Sequence, residues 1–190
     1  MRAILQSQAY QRCSQPLPGN GGDTRFYSRY YPRRLMAEVM LDALSQASGA
    51  PTQFANYPLG WRAIQLPDSN VDSYFLRSFG RPERLLSCEC ERTKEPSMAQ
   101  VLHIANGDTV NLKLKQPNNR LDKLLADGAS DERIVEDVYL GALCRPPGGS
   151  EMKEMLAMLS AAKSDAKLRR EIIEDVYWSV LSSREFLFNR

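Results

Sequence analysis

The sequence is poor in the two residue types that build most metal and redox sites. It has 190 residues but only one histidine, His103, and four cysteines. A single imidazole excludes a zinc site built on three histidines and an iron site built on two histidines and a carboxylate. Four cysteines in a chain that is 43% hydrophobic do not indicate a disulfide framework, which is typical of much smaller secreted domains.

The chain also lacks a strong excess of either charge and any long apolar run. Its 25 basic and 23 acidic residues leave a net charge of +2, whereas a dedicated nucleic-acid binder would need a basic surface. We therefore expect no nucleic-acid partner. No apolar run approaches the roughly 18 residues of a membrane span, so none is expected.

Targeting and cofactor motifs are missing as well. Only three apolar residues follow Arg2 before Gln6, so the sequence contains no secretory signal peptide and the chain as written is expected in the cytoplasm. The glycines of segment 19–22 lack the lysine and helix of a phosphate-binding loop. No Cys-x-x-Cys-His motif is present to attach haem, and we expect no cofactor in this chain.

What the sequence has in abundance is helical periodicity. Apolar residues recur at spacings of three and four along most of the chain, which predicts an all-α fold. We expect one domain over residues 1–190, an irregular helical region followed by an antiparallel helical array over 118–190. At most one short hairpin is expected, near residues 57–90. The expected core of the array is Val138, Leu156, Ile172 and Val176.

Several local signals predict where helices begin and end. Pro32 is suited to the first position of a helix that Gly49 ends, and residues 2–12 suggest a short helix at the start of the chain. Ser97 and Gln100 form a capping-box pattern for a helix from Met98. In the array, the expected helix starts are Asn118 or Asn119, Ser130, Ser150 and Ser164.

The residues with the most chemical potential lie between Phe79 and Asn106. This block holds cysteines, arginines, carboxylates and the only histidine within 28 positions. We treat nine of its side chains as a candidate functional or structural centre. They are Arg81, Arg84, Cys88, Cys90, Glu91, Arg92, Gln100, His103 and Asn106.

The cysteines of this block leave three readings open. Cys88, Cys90 and His103 are candidate zinc or copper ligands, although one intervening residue is fewer than zinc sites normally have, and Cys13 or Cys144 would have to complete the set. A cysteine nucleophile with His103 as its base is the second reading. A strained disulfide between Cys88 and Cys90 is the third. The commoner fate of such thiols is burial as small apolar groups.

The arginines of the block have a functional and a structural interpretation. Arg81, Arg84 and Arg92 would suit an anion pocket. The structural interpretation, which we favour, is a network with nearby carboxylates, the candidates being Glu83, Glu89, Glu91 and Glu95. Glu91 and Arg92 are also placed to bridge to the segment that carries Arg34 and Glu38, and His103 is expected to be a hydrogen-bonded structural histidine.

The order of several motifs resembles one protein family. The blocks are Ile4–Tyr10, Arg33–Ala43, F-G-R-P-x-R at Phe79, C-x-C-E-R at Cys88, Q-x-L-H-x-x-N-G at Gln100, L-x-R-P-P near Leu143, and S-x-E-F-L-F-N at Ser183. This order is similar to that of the planctomycete-type C-terminal domain of unknown function fifteen-fifty-three, also called the PSD family.

The resemblance implies a context rather than an activity. Domains of this kind follow a cytochrome-c-like region in large proteins exported to the periplasm or cell surface. The chain is then expected to be the C-terminal piece of such a protein, with upstream domains of that protein as its partners and any haem located upstream. The resemblance transfers no catalytic residue. Cys13 and Cys144 match no specified position of the family's motifs.

Three functions follow as hypotheses. The first is a non-catalytic accessory or interaction domain of an exported cytochrome-c-like protein. The second is a redox or metal module centred on Cys88 and Cys90. The third is a hydrolase-like domain that acts on polysaccharide, with its site in the Phe79–Asn106 block. The sequence identifies neither a catalytic constellation nor a small-molecule or polysaccharide ligand. If the chain is a fragment, we expect it to expose an apolar surface where the missing upstream region packs, at the first helix and the cluster of Phe26, Tyr27, Tyr30 and Tyr31.

Overall fold

A computed structural model describes residues 1–23, 25–67, 71–85, 91–92, 97–106, 108–161 and 165–189, without the side chains of 105 and 106. Over these ranges the chain forms ten α-helices, one 3₁₀ turn and two strands of two residues each. The predicted all-α fold is therefore confirmed. No helix in the described ranges is long and apolar enough to cross a membrane.

The helices of the described ranges have four to 16 residues, and three of the four longest lie in the last third of the chain. In chain order the elements are α1 (Arg2–Leu5), β1 (Arg33–Arg34), α2 (Ala37–Ser48), the 3₁₀ turn Ala63–Gln65, α3 (Tyr74–Ser78), α4 (Met98–Asn106), α5 (Asp108–Lys115), α6 (Arg120–Ala126), α7 (Asp131–Leu143), α8 (Gly149–Ser160), α9 (Ala166–Leu181), α10 (Arg184–Leu187) and β2 (Phe188–Asn189).

Helix α2 lies at the centre of the packing. It contacts the 3₁₀ turn and helices α3, α5, α6 and α7. Its inward residues, among them Met40, Leu41 and Leu44, are almost fully buried in one hydrophobic core. Gly49 ends this helix in the left-handed conformation, as predicted. The backbone therefore turns sharply, and the Ala50–Thr52 segment runs back beside α2.

The second centre is formed by α7, α8 and α9, which contact one another. The predicted packing of the last long helices is thus confirmed, and Val138 and Val176 are buried as expected. Leu156 and Ile172 are only partly buried, which corrects that part of the prediction. Their neighbours Leu159 and Ile173 are fully buried instead.

Two residues just before α2 pair with two residues near the end of the chain, and this pairing corrects the expected place of the hairpin and the expected start of α2. Arg33 and Arg34 pair antiparallel with Asn189 and Phe188, so the strands are distant in sequence and lie outside residues 57–90. Because this pairing keeps the backbone extended, α2 begins at Ala37 rather than at Pro32.

The cap predictions agree with the structure at polar residues that reach the first turn. Ser130 accepts a hydrogen bond from the backbone of α7, and Asn119 does the same for α6. The predicted starts at Ser150 and Ser164 are wrong, because Gly148 and Asp165 precede α8 and α9. Helix α1 ends at Leu5, well before the predicted residue 12.

Candidate functional site

A buried carboxylate joins the Phe79–Asn106 block to the first turn of α2. The carboxylate of Glu38 accepts two hydrogen bonds from the guanidinium of Arg92, at 2.8 and 3.0 Å. The Nε of Arg81 lies 3.8 Å from the same carboxylate, which is an ion-pair contact rather than a hydrogen bond. The predicted bridge from Arg92 to the segment of Arg34 and Glu38 is therefore present, and it ends on Glu38.

The electrostatic balance at Glu38 favours the charged form. Burial alone would raise the pKa of this carboxyl, but the hydrogen bonds from Arg92 and the nearby charges of Arg92 and Arg81 lower it overall. The side chains of Glu38, Arg81 and Arg92 are all less than 15% exposed. Removal of one partner from a buried bidentate pair strongly destabilises a fold, because the other charge is left buried and uncompensated.

Gln100 forms a second junction next to this ion pair. Its Nε2 donates to the carbonyl of Ser78 at 2.9 Å, and its Oε1 accepts from the guanidinium of Arg34. Ser97 completes the predicted capping box, because its hydroxyl accepts from the Gln100 backbone while Gln100 accepts from the Ser97 backbone. Arg34 also donates to the carbonyl of Phe79 at 3.2 Å. Three separate segments are thus joined at one buried amide.

Arg84 and Glu91 are not brought into the carboxylate cluster. Arg84 is exposed, has a left-handed backbone with φ of 58° and donates to the carbonyl of Pro67 at 3.1 Å. Glu91 accepts a hydrogen bond from the backbone of Leu85 at 3.0 Å. Arg81 and Arg92 meet the carboxylate of Glu38, while the predicted partners Glu89 and Glu95 lie outside the described residues.

The cysteine hypotheses fall on residues beyond the described part of the chain. Cys88 and Cys90 lie outside it, as do Glu89 and Glu95 and the side chain of Asn106. Cys13 and Cys144 are exposed free thiols. Within the described ranges, no three His, Cys, Asp or Glu side chains form a group that would hold a metal.

His103 is placed apart from the ion pair, against aromatic rings. Its ring centroid lies 5.3, 5.6 and 6.0 Å from those of Tyr74, Phe75 and Phe79. Its Nε2 lies 2.8 Å from the hydroxyl oxygen of Thr109, so the predicted hydrogen-bonded histidine is present. Burial lowers the pKa of His103 against the attraction of Asp108, which favours the neutral ring at pH 7.

His103 also lines a cleft that the sequence analysis did not predict. The cleft has a volume of about 760 Å³ and is bounded by α5, the start of α3 and the segment after α2. Thr109, Leu112 and Lys113 line it from α5, at the spacing of one helical face, and Gln116 lines it just after the helix ends. The helical spacing of these residues was the signal in the sequence that could have indicated the cleft. A lysine on a short polar helix is normally exposed, however, so this spacing alone did not predict a buried lysine or a cleft.

Lys113 is the most unusual group in this cleft. It is only 7% exposed, and its Nζ donates to Ser45 Oγ at 2.9 Å, to the Ala50 carbonyl at 2.8 Å and to Thr52 Oγ1 at 2.7 Å. All three partners are neutral. Burial lowers the pKa of Lys113 from 10.5 to about 8, against the attraction of the Asp42 carboxylate.

Two features of this arrangement bear on covalent chemistry. A hydroxyl 2.8 Å from an imidazole has the spacing of a nucleophile and its base. Acyl transfer also needs donors aimed at the developing oxyanion. Lys113 is the buried cation of the cleft, and its three N–H groups already bond to Ser45, Ala50 and Thr52.

The start of the chain presents a different feature, an ordered loop with outward aromatic residues. Asp23 accepts hydrogen bonds from the backbone N–H groups of Arg25, Phe26 and Ser28 at 2.8–3.0 Å. The hydroxyl of Tyr31 donates to the Asp23 carbonyl at 2.7 Å. Phe26 is nevertheless 85% exposed.

One protein family matches the chain. Residues 1–159 match the family described as "Protein of unknown function (DUF1553)", so the chain belongs to that family. No curated protein and no solved structure matches the chain.

Proposed function

We propose that this member of the DUF1553 family is a non-catalytic interaction domain of a larger exported protein with a cytochrome-c-like region. In this proposal, residues 1–31 form the surface that docks on another region of the same parent protein. The resemblance of the sequence motifs suggests that context, and the partner would be an upstream domain that carries any haem.

The observation that carries the proposal is the exposure of the aromatic loop. None of the described residues in 1–31 is buried, although the segment lies within the family match. Phe26 and Tyr27 are 85% and 62% exposed, and Ile4, Leu5 and Tyr10 are exposed as well. Large aromatic side chains in rigid positions are typical of the residues that dominate protein interfaces.

The loop is also held in place, which reduces the cost of binding. The carboxylate of Asp23 bonds to three backbone N–H groups. A hydrogen bond from the Ser28 side chain, followed by these backbone bonds, lowers the pKa of Asp23. A loop that is ordered before binding loses less conformational entropy when it docks. Phe26 is therefore presented as a fixed anchor rather than as part of a mobile tail.

The candidate residues with described side chains support the same proposal by what they contact. Glu38 of α2 bonds to Arg92, and Gln100 of α4 bonds to the carbonyl of Ser78 in α3. Their chemistry is used to hold helices together. A structural role for the block is consistent with a domain whose function lies on its surface.

The test is a binding titration between this chain and the purified upstream region of its parent protein. The wild-type chain should bind, and the double variant Phe26→Ser, Tyr27→Ser should weaken binding by at least about tenfold. Leu140→Ser is the matched control, because Leu140 is also an exposed apolar residue but lies on α7. It should leave affinity unchanged.

A second variant tests the ordered loop itself. Asp23→Ala removes the acceptor of three backbone bonds and should weaken binding without changing the unfolding free energy of the helical core. Equal affinities for wild type, Asp23→Ala and the double aromatic variant would contradict the proposal.

The redox or metal hypothesis for Cys88 and Cys90 is separable from this one. Elemental analysis and thiol counting of the purified chain address it directly. A stoichiometric metal that is lost in Cys88→Ser would replace the interaction proposal with a metal module. Hydrolysis of a polysaccharide by the chain, lost in His103→Ala, would support the hydrolase-like alternative.

A further inference from the structure

We propose that the cleft between α3 and α5 binds a small amphipathic carboxylate, an organic acid with an aromatic or aliphatic body. This inference is independent of the docking surface at Phe26. It rests on the shape of the cleft, the charges around it and the apolar side chains that line it.

The cleft has the size and lining of a ligand site. Its volume of about 760 Å³ lies within the roughly 300–1,000 Å³ of most small-molecule sites. Leu41 and Phe75 are almost fully buried and line its apolar part, and Leu112 and Tyr74 are exposed at its edge. An apolar ligand body would therefore contact both aliphatic and aromatic surface.

The charges of the cleft favour an anion. Lys113 and Lys115 line it together with a single carboxylate, that of Asp108. Among the described residues, neither lysine takes part in an ion pair within 4.0 Å. The positive charge of Lys113 is held in a poorly solvated position by neutral oxygens, where it is screened much less than a surface charge.

The remaining polar groups fit a carboxylate rather than a strongly charged phosphate. The N–H groups of Lys113 already donate to Ser45, Ala50 and Thr52, so Lys113 attracts an anion by its charge and not by hydrogen bonds to it. Lys115 is exposed at the edge and supplies a direct partner. A ligand with a single negative charge would place that charge at the edge of the cleft, near Lys115, and its apolar body inside the cleft.

The single histidine makes the test site-specific. His103 lines the cleft and is the only histidine in the chain, so its ring signals in a proton NMR spectrum report on the cleft without further assignment. The probes are 3-phenylpropanoate, its neutral amide 3-phenylpropanamide, and inorganic phosphate. We expect 3-phenylpropanoate to shift the His103 signals saturably, with an affinity at least about tenfold higher than that of the amide or phosphate.

Two pairs of variants place the ligand. Lys115→Glu should weaken the carboxylate by at least about tenfold, whereas Lys153→Glu, the same change at an exposed lysine of α8, should not. Leu112→Asp should abolish binding, and Leu140→Asp should leave it unchanged. Both targets in α5 are exposed, so these variants should fold.

The outcomes separate this inference from the proposed docking function. Phe26→Ser should leave the His103 titration unchanged, so loss of docking does not bear on the cleft. Equal affinities for the acid and its amide would overturn the inference, as would equal effects of Lys115→Glu and Lys153→Glu. Absence of saturable shifts with 3-phenylpropanoate up to about 10 mM, beyond the weak end of specific binding, would overturn it as well.

Discussion

Removal of the Arg92 side chain should destabilise the fold through the carboxylate that it leaves behind. In Arg92→Ala, Glu38 loses two hydrogen bonds of 2.8 and 3.0 Å and retains the ion-pair contact with Arg81 at 3.8 Å. Breaking a buried pair costs about 3–5 kcal/mol, and the remaining contact with Arg81 reduces that cost. We expect the free energy of unfolding to fall by about 2–4 kcal/mol.

Urea denaturation followed by far-ultraviolet circular dichroism measures this loss. The double-mutant cycle of Arg92→Met and Glu38→Gln should give a coupling energy above about 1 kcal/mol, because the two side chains contact each other directly. Arg92→Lys, which retains the charge without the planar fork, should recover only part of the stability.

The pH dependence supplies a second check on the same pair. The pKa of Glu38 is lower in the folded protein than in the unfolded chain, so its contribution is full above the unfolded value of about 4.5 and is lost as the pH falls through the folded value. The difference between wild type and Arg92→Ala should therefore shrink in acid. A difference below about 0.5 kcal/mol at pH 7 would show that the pair of Arg92 and Glu38 does not stabilise the fold.

Four further substitutions test other parts of the structure. Val176→Asp places an unpaired charge in the core at a residue that is 0% exposed and should cost at least about 4 kcal/mol in urea denaturation; a loss under about 1 kcal/mol would contradict the packing of α9. Gly49 and Gly128 both have a φ of +67°, but a Cβ at Gly49 would lie 2.9 Å from the Arg120 backbone nitrogen, whereas a Cβ at Gly128 would meet nothing within 4 Å. Gly49→Ala should therefore lower the free energy of unfolding by at least about 1 kcal/mol more than Gly128→Ala does. Equal losses would contradict the close approach of Arg120 to Gly49. Because the pKa of Lys113 is lowered to about 8, the unfolded chain binds more protons than the folded protein between pH 8 and 10.5. This group should therefore raise the free energy of unfolding by about 3 kcal/mol as the pH rises through that window. Lys113→Met should lack the rise, and parallel pH profiles for the two proteins would rule out a buried lysine.

The sequence predicted features that depend on local chemistry. Ser130 and the Ser97–Gln100 pair were recognisable as caps, because a side-chain oxygen satisfies backbone donors only a few residues away. Gly49 was recognisable as a helix end for a similar reason, since a left-handed residue is favourable there only for glycine.

Features that depend on distant partners were predicted less well. Pro32 satisfied the local rule for a helix start, but the pairing of Arg33 and Arg34 with the other end of the chain keeps that segment extended. The exact buried position on α9 also depends on how the helix is rotated against its neighbours, and Ile173 rather than Ile172 points inward.

The candidate site shows the same division. The block from Phe79 to Asn106 was found because its reactive residue types are close in sequence. The partner of Arg92 was anticipated as a segment, and the structure identifies it as Glu38. The cleft was missed because Lys113 becomes buried only when the Ala50–Thr52 segment folds over it.

Oxidative footprinting of the intact parent protein tests the interaction proposal most directly. Hydroxyl radicals label exposed aromatic rings, so the labelling rates of Phe26 and Tyr27 can be compared between the intact protein and this chain alone. We expect strong protection of both residues in the intact protein, with unchanged labelling of Tyr74 beside the cleft as the internal reference. Equal labelling of Phe26 and Tyr27 in the two proteins would contradict it.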